Sequence, residues 1–149
     1  SRIALAPLVE EAAASALPEG SGVIFENCVP QRFQIDADSE QLFRVLLNLF
    51  SNARDALECV TWRDKRITVE AARKGATVTI DIADTGTGIP SSVRERLFQP
   101  FAGTARASGS GLGLAISREL LQAHGGDIAL VCTDTSGTRF RLMIPDRTG

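Results

Sequence analysis

The sequence predicts an α+β fold, a two-layer α/β sandwich with about three helices on one face of a mixed, mostly antiparallel sheet. Three observations predict it. Residues 39–58 place apolar side chains at i, i+3, i+4 and i+7, the stripe of one buried helix face. Residues 77–82 alternate, with Val78, Ile80 and Ile82 set against Thr77, Thr79 and Asp81. The segments run helix, strands, helix, hairpin, helix, hairpin, which is not the order of a βαβ repeat.

Each element has its own signal. Residues 7–17 read as a short helix with Pro7 in the tolerated first turn. Residues 22–28 and 33–36 read as short strands separated by a turn at Pro30. Asp38 or Ser39 caps the long helix, whose apolar face is Leu42, Val45, Leu46, Leu49, Ala53, Ala56 and Leu57. Strands at 66–73 and 76–84 follow, joined at Lys74-Gly75. Residues 91–97 suit a short helix. Residues 99–111, rich in Gly, Ala and Ser without periodicity, suit a loop. A helix over 112–124 ends at Gly125-Gly126, and strands at 127–132 and 137–144 close the chain.

The 149 residues are expected to form one domain over 1–149. With 44% hydrophobic and 23% charged residues, the composition excludes a disordered tail, a coiled coil and a collagen-like fibre. A chain of this size buries roughly 68–70% of its unfolded surface, enough for a core without staples. A net charge of -2 offers no basic excess for nucleic acid or an anionic membrane. No apolar run approaches the ~18 residues of a bilayer span, and no signal-peptide pattern opens the chain. Neither a nucleic-acid partner nor direct membrane contact is therefore expected. Cys28, Cys59 and Cys132 are odd in number and widely spaced. They read as cytosolic thiols, each a small buried or half-buried apolar residue. The chain begins with Ser1 and its only methionine is Met143, which reads as an excised or processed piece. Trp62, Arg63, Lys65 and Arg66 read as a solvated approach to a hairpin, or as a docking patch for a neighbouring domain.

Three segments carry candidate chemistry. Asn48 and Asn52 are four apart and share a helix face, with Arg44 and Asp55 on the same side. A carboxamide oxygen suits Mg²⁺ and its NH₂ suits phosphate, although a solvated polar face reads equally simply. Asp84 has the parity of Val78, Ile80 and Ile82, so its carboxylate should point under the helices, where a purine amino group is a plausible partner. Gly86 and Gly88 then let the backbone turn and approach a ligand; an Asx turn after a strand is the plainer alternative. Gly109, Gly111 and Gly113 precede a helix start, where bare N–H groups and the helix dipole suit an anion; a flexible linker is the alternative. A dinucleotide fingerprint would need a third glycine where Leu114 sits, and no phosphate-loop lysine signature occurs.

Taken together the segments are more specific. Asn48 and Asn52, then Asp84, Gly86, Gly88 and Ile89, then Phe98, Pro100 and Phe101, then Gly109, Gly111, Leu112, Gly113 and Leu114 follow in that order. They resemble the asparagine, first glycine, phenylalanine and second glycine boxes of the ATP-binding domain of sensor histidine kinases. That domain belongs to the GHKL superfamily, shared with DNA gyrase, the ninety-kilodalton heat-shock chaperone and the mismatch-repair ATPases. The likeness spans residues 5–146, and residues 52–57 with the short lid are similar to the nitrogen- and dicarboxylate-sensing branch.

The resemblance implies a Bergerat-type ATP-binding fold, with ATP and Mg²⁺ as ligands. Asn52 would coordinate Mg²⁺, with Asn48 supporting it. Asp84 would accept a hydrogen bond from the adenine amino group, beside Thr138 and with Ile89 against the base. Gly86 and Gly88 would shape the pocket. Phe98 and Phe101 would anchor a mobile lid, and Gly109, Gly111, Leu112 and Gly113 would admit the triphosphate. Many relatives carry a lysine where this chain has Asp55, and a Thr-Thr-Lys where it has Gly103-Thr104-Ala105-Arg106, which leaves Arg106 to supply the cation. His124 matches a helix-ending His-Gly-Gly of the family and suits a partly charged imidazole at a helix C-terminus. The phosphoacceptor histidine would lie on a separate dimerisation domain preceding Ser1, so no catalytic residue is expected in this chain.

The implied function is donation of the ATP γ-phosphate to that domain of the same parent protein, in the cytoplasm, with onward transfer to a response-regulator receiver domain. A self-contained ATPase or clamp, an anti-sigma-type serine kinase and a regulatory nucleotide-binding module are the alternatives. Position 48 discriminates against the first, since the ATPase relatives place a water-activating glutamate where this chain has Asn48.

Overall fold

The computed structural model describes residues 2–99 and 113–146. The chain opens with β1 (Arg2–Ala4) and α1 (Leu5–Ala16), then β2 (Val23–Asn27), β3 (Gln34–Asp36) and the long α2 (Ser39–Leu57). β4 (Lys65–Lys74) and β5 (Thr77–Asp84) form the first hairpin, followed by α3 (Ser91–Arg94). α4 (Gly113–Ala123), β6 (Asp127–Asp134) and β7 (Gly137–Pro145) complete it.

The main sheet has the order β2-β4-β5-β7-β6, and only the β2–β4 pair is parallel. This is the expected mixed, mostly antiparallel sheet. Its inward face presents Ile67 and Val69 from β4, Val78, Ile80 and Ile82 from β5, and Phe140, Leu142 and Ile144 from β7, all buried. α2 supplies Leu42, Val45, Leu46, Leu49, Ala53 and Leu57 to the same core. It also supplies Phe50, fully buried and edge-on to Phe25 at 5.3 Å. Burial of each such side chain contributes about 1.5–3 kcal/mol. Asp38 is the cap of α2, its side chain accepting from the Gln41 N–H at 3.1 Å.

Boundaries moved where local signals were weak. α1 begins two residues before the expected start, because Leu5 is fully buried and its N–H is taken by the Phe33 carbonyl at 3.1 Å. The three-residue β1, unmarked by any pattern, pairs antiparallel with β3. Arg2 and Arg73 both ion-pair with the buried Asp146, tying this small ribbon to the end of β7. α3 stops at Arg94, short of the expected 97.

Two expectations need correction. The cysteines are all exposed, not buried or half-buried. Cys28 and Cys59 follow the ends of β2 and α2, and a β-bulge between Leu130 and Cys132 turns Cys132 out of the inward alternation. His124 does stand just past the helix end, where its Nε2 lies 3.2 Å from the Asp38 N–H and its Nδ1 lies 2.9 Å from the Leu120 carbonyl. The 59–65 loop is not simply solvated, because Arg63 turns onto backbone carbonyls while Trp62 stays exposed.

The outward sheet face is polar. Asp81 bonds Arg141 at 2.8 Å and Arg139 at 2.8 Å, and Arg139 also reaches Glu70. The Arg141 hydrogen bond holds the Asp81 carboxyl below its ordinary value, opposed by burial and assisted by Arg139.

Candidate functional site

Strand parity builds the floor of the site. In the β5–β7 ladder Ile82 lies opposite Phe140 and Asp84 opposite Thr138, so the apolar face ends in one carboxylate and one hydroxyl. α2 crosses above and contributes Leu49, Asn52, Ala53 and Ala56. Ile89 and Leu114 complete the cleft. The lining is mostly apolar, with Asn52, Asp84 and Thr138 as its polar groups. That is the general form of a site for a small, flat, polar-edged molecule.

Asp84 is half-buried, not deeply buried, and one carboxylate oxygen accepts from the Gly86 N–H at 2.8 Å. The Asx turn and the cleft-facing carboxylate are thus the same structure. Gly86 is required sterically, since a Cβ there would lie 2.8 Å from the Ala56 Cβ and 2.9 Å from the Asp84 carboxylate. Gly88 has φ +87° and a Cβ there would strike the Asp134 carbonyl. Ile89 is buried and donates its N–H to the Thr133 hydroxyl at 2.8 Å, which in turn bonds the Thr138 hydroxyl at 2.8 Å.

Thr133 and Gly137 are site residues that sequence reading missed. The expected strand ended at 132, and unbroken alternation would have sent Cys132 inward. The bulge instead places Thr133 opposite Thr138. Gly137 presses on the Asp84 carbonyl, leaving no room for a Cβ. Its place directly before Thr138 was the available signal.

Asn48 faces α4. Its NH₂ donates to the Ser117 hydroxyl at 3.3 Å and weakly to the Gly113 carbonyl at 3.4 Å. Ser117 is fully buried, so this bond satisfies an interior polar group. Gly113 opens α4, and a Cβ there would meet nothing nearer than Asn48 at 3.8 Å. Packing within the described residues therefore does not demand the glycine. Phe98 packs edge-on to Phe140 at 6.4 Å with the Arg118 guanidinium over it at 5.4 Å, which docks this segment against the cleft floor. Phe101, Arg106, Gly109, Gly111 and Leu112 lie outside the described residues.

Residues 37–148 match the family described as histidine kinase-, DNA gyrase B-, and HSP90-like ATPase. Over 111 residues the chain is 40% identical to the nitrogen regulation protein NtrY of Azorhizobium caulinodans, covering 72% of this chain and 14% of that protein. It is 35% identical over 148 residues to the sensor protein FixL of Bradyrhizobium diazoefficiens, covering 95% and 28%. Among solved structures, the mycobacterial sensor histidine kinase MprB superposes with a TM-score of 0.80 at 26% identity, covering 99% of each chain. Full-length ShkA in complex with AMPPNP gives 0.79 at 29% identity, covering 97% of this chain and 30% of that one. The chain thus spans under a third of the curated relatives it matches.

Proposed function

The chain belongs to the histidine kinase-, DNA gyrase B- and HSP90-like ATPase family, and from that membership we propose that it is the ATP-binding catalytic unit, one domain over 1–149, of a sensor histidine kinase. The observation that carries the reading is the apolar cleft that ends in Asp84 and Thr138 beneath Asn52. Adenine suits the apolar slot, its amino group donating to Asp84 while Ile89 packs on the ring. Asp84 and Thr138 offer an acceptor and a hydroxyl side by side, which favours adenine over a base lacking the amino donor. The AMPPNP held by ShkA supports the nucleotide class.

The triphosphate then runs past Asn52 towards the start of α4. Among the described residues a Cβ at Gly113 would meet nothing nearer than Asn48 at 3.8 Å, which supports phosphate oxygens approaching the start of α4. Mg²⁺ fits this donor set, because an ion shared with phosphates keeps most of its waters and takes few protein ligands, here Asn52. When bound, it neutralises charge on the phosphates. By family likeness Phe101 would anchor the lid, and Arg106, Gly109, Gly111 and Leu112 would complete the phosphate end, Arg106 supplying the cation.

The γ-phosphate passes to a histidine on the dimerisation domain of the same parent protein, and then to a receiver domain of a response regulator in the cytoplasm. This unit contributes binding, orientation and charge stabilisation, which is most of what phosphoryl transfer asks. Asn48 separates this reading from a self-contained ATPase. A carboxamide takes no proton from water, and here its NH₂ is engaged with α4. Incubation with γ-labelled ATP is the test. The chain alone is expected to hydrolyse ATP slowly and carry no label, with label appearing once the parent's histidine-bearing domain is added. Fast hydrolysis by the chain alone, or stable label on His124, contradicts the assignment.

A further inference from the structure

We propose that Arg63 is a positioning residue for the nucleotide base, acting on Asp84 through a single peptide group. The proposal rests on the ATP-site reading above. The Arg63 Nε donates to the Thr85 carbonyl at 2.9 Å. That carbonyl and the Gly86 N–H belong to the same peptide unit, and the Gly86 N–H donates to the Asp84 carboxylate at 2.8 Å. Guanidinium, peptide and carboxylate therefore lie in one chain of hydrogen bonds, each polarising the next. Arg63 Nη2 adds two bonds, to the Gly86 carbonyl at 2.8 Å and the Thr135 carbonyl at 2.7 Å. One side chain thus joins the segment after β5 to the β6–β7 turn.

The need for such a brace follows from the ladder. β5 pairs with β4 and β7 as far as Asp84, and beyond it the Thr85 N–H still donates to the Arg66 carbonyl at 3.1 Å and the Thr85 hydroxyl bonds the start of β4, but among the described residues no backbone partner holds the Thr85–Gly86 peptide that aims the Asp84 carboxylate. Arg63 supplies what the ladder stops short of. All three acceptors are carbonyls, and no carboxylate pairs with Arg63 among the described residues. A planar fork with several fixed donors spans three carbonyls, whereas a lysine ammonium on a flexible stem holds them less rigidly. The guanidinium also lies over the Trp62 ring, 5.6 Å from its centroid.

The experiment measures ATP, ADP and GTP binding by calorimetry for the wild type, Arg63→Ala and Arg63→Lys, with thermal unfolding alongside. The brace acts at the base end. Arg63→Ala is therefore expected to weaken ATP and ADP by the same factor, about tenfold. The preference for ATP over GTP should shrink, while the ratio of ATP affinities with and without Mg²⁺ stays at its wild-type value. Arg63→Lys is expected to regain stability without regaining the base preference; should Arg63→Ala not fold, the same ratios in Arg63→Lys decide. Unchanged affinity and base preference, or equal losses for ATP and GTP, overturn the brace and leave the ATP site standing. Absence of ATP binding by the wild type overturns both.

Discussion

Asn48 and Asn52 sit one helical turn apart on α2, yet the fold gives them different work. Asn48 bonds Ser117 in the interior, so Asn48→Ala is expected to cost about 1–3 kcal/mol of unfolding free energy, read from denaturant midpoints. Asn52 lines the cleft, so Asn52→Ala is expected to abolish the Mg²⁺-dependent part of ATP affinity; binding that stays equally Mg²⁺-sensitive contradicts the metal role. The sequence spacing marked both residues but could not divide them, because the division depends on where α4 lies. Asp84 was legible, since strand parity alone predicts its direction and the ladder places it opposite Thr138. Thr133 was not, because a bulge inverts parity and leaves no mark in a run such as Val131-Cys132-Thr133.

At the level of elements, the β6–β7 turn and the loop after β5 are fitted against each other backbone to backbone. Gly137 has φ +146° and faces the Asp84 carbonyl. Gly137→Ala is therefore expected to destabilise the fold by about 1–3 kcal/mol and to weaken ATP binding with it, seen by thermal melts and titration on the same protein. On the other side of the sheet, Asp81 is an acid-sensitive group. Its folded value is lowered from 3.8, so its contribution is present above that pH and is lost as pH falls through the lower folded value. Asp81→Asn is expected to flatten the acid limb of the stability curve below about pH 4, with little change in that slope near neutrality; an unchanged acid limb would count against the Arg139–Asp81–Arg141 arrangement. The long α2 and the β4–β5 hairpin were legible because their periodicities are strong. β1 was not, because its three residues gain their identity only by pairing with β3.

At the scale of the whole molecule, layers and cleft have a common origin. One face of the sheet is apolar up to Ile82 and Phe140, and α2 lies over it with α1 and α4 packed on either side. The cleft opens where the apolar rows give way to Asp84 and Thr138. The same alternation that packs the core therefore aims the polar groups, and this is why fold and site could be read together from 78–84 and 138–144. The exposed cysteines show the limit of composition, which gives a residue's average habit and not its place at a strand or helix end. His124 also belongs to this scale. Its ring links the end of α4 to the cap of α2. The central claim is that this cleft holds ATP by its base through Asp84. Calorimetric titration of Mg·ATP into the wild type and Asp84→Asn tests it most directly. The account predicts one-to-one binding by the wild type and loss of binding in a variant whose melting curve is little changed; equal affinity in the two proteins would contradict it.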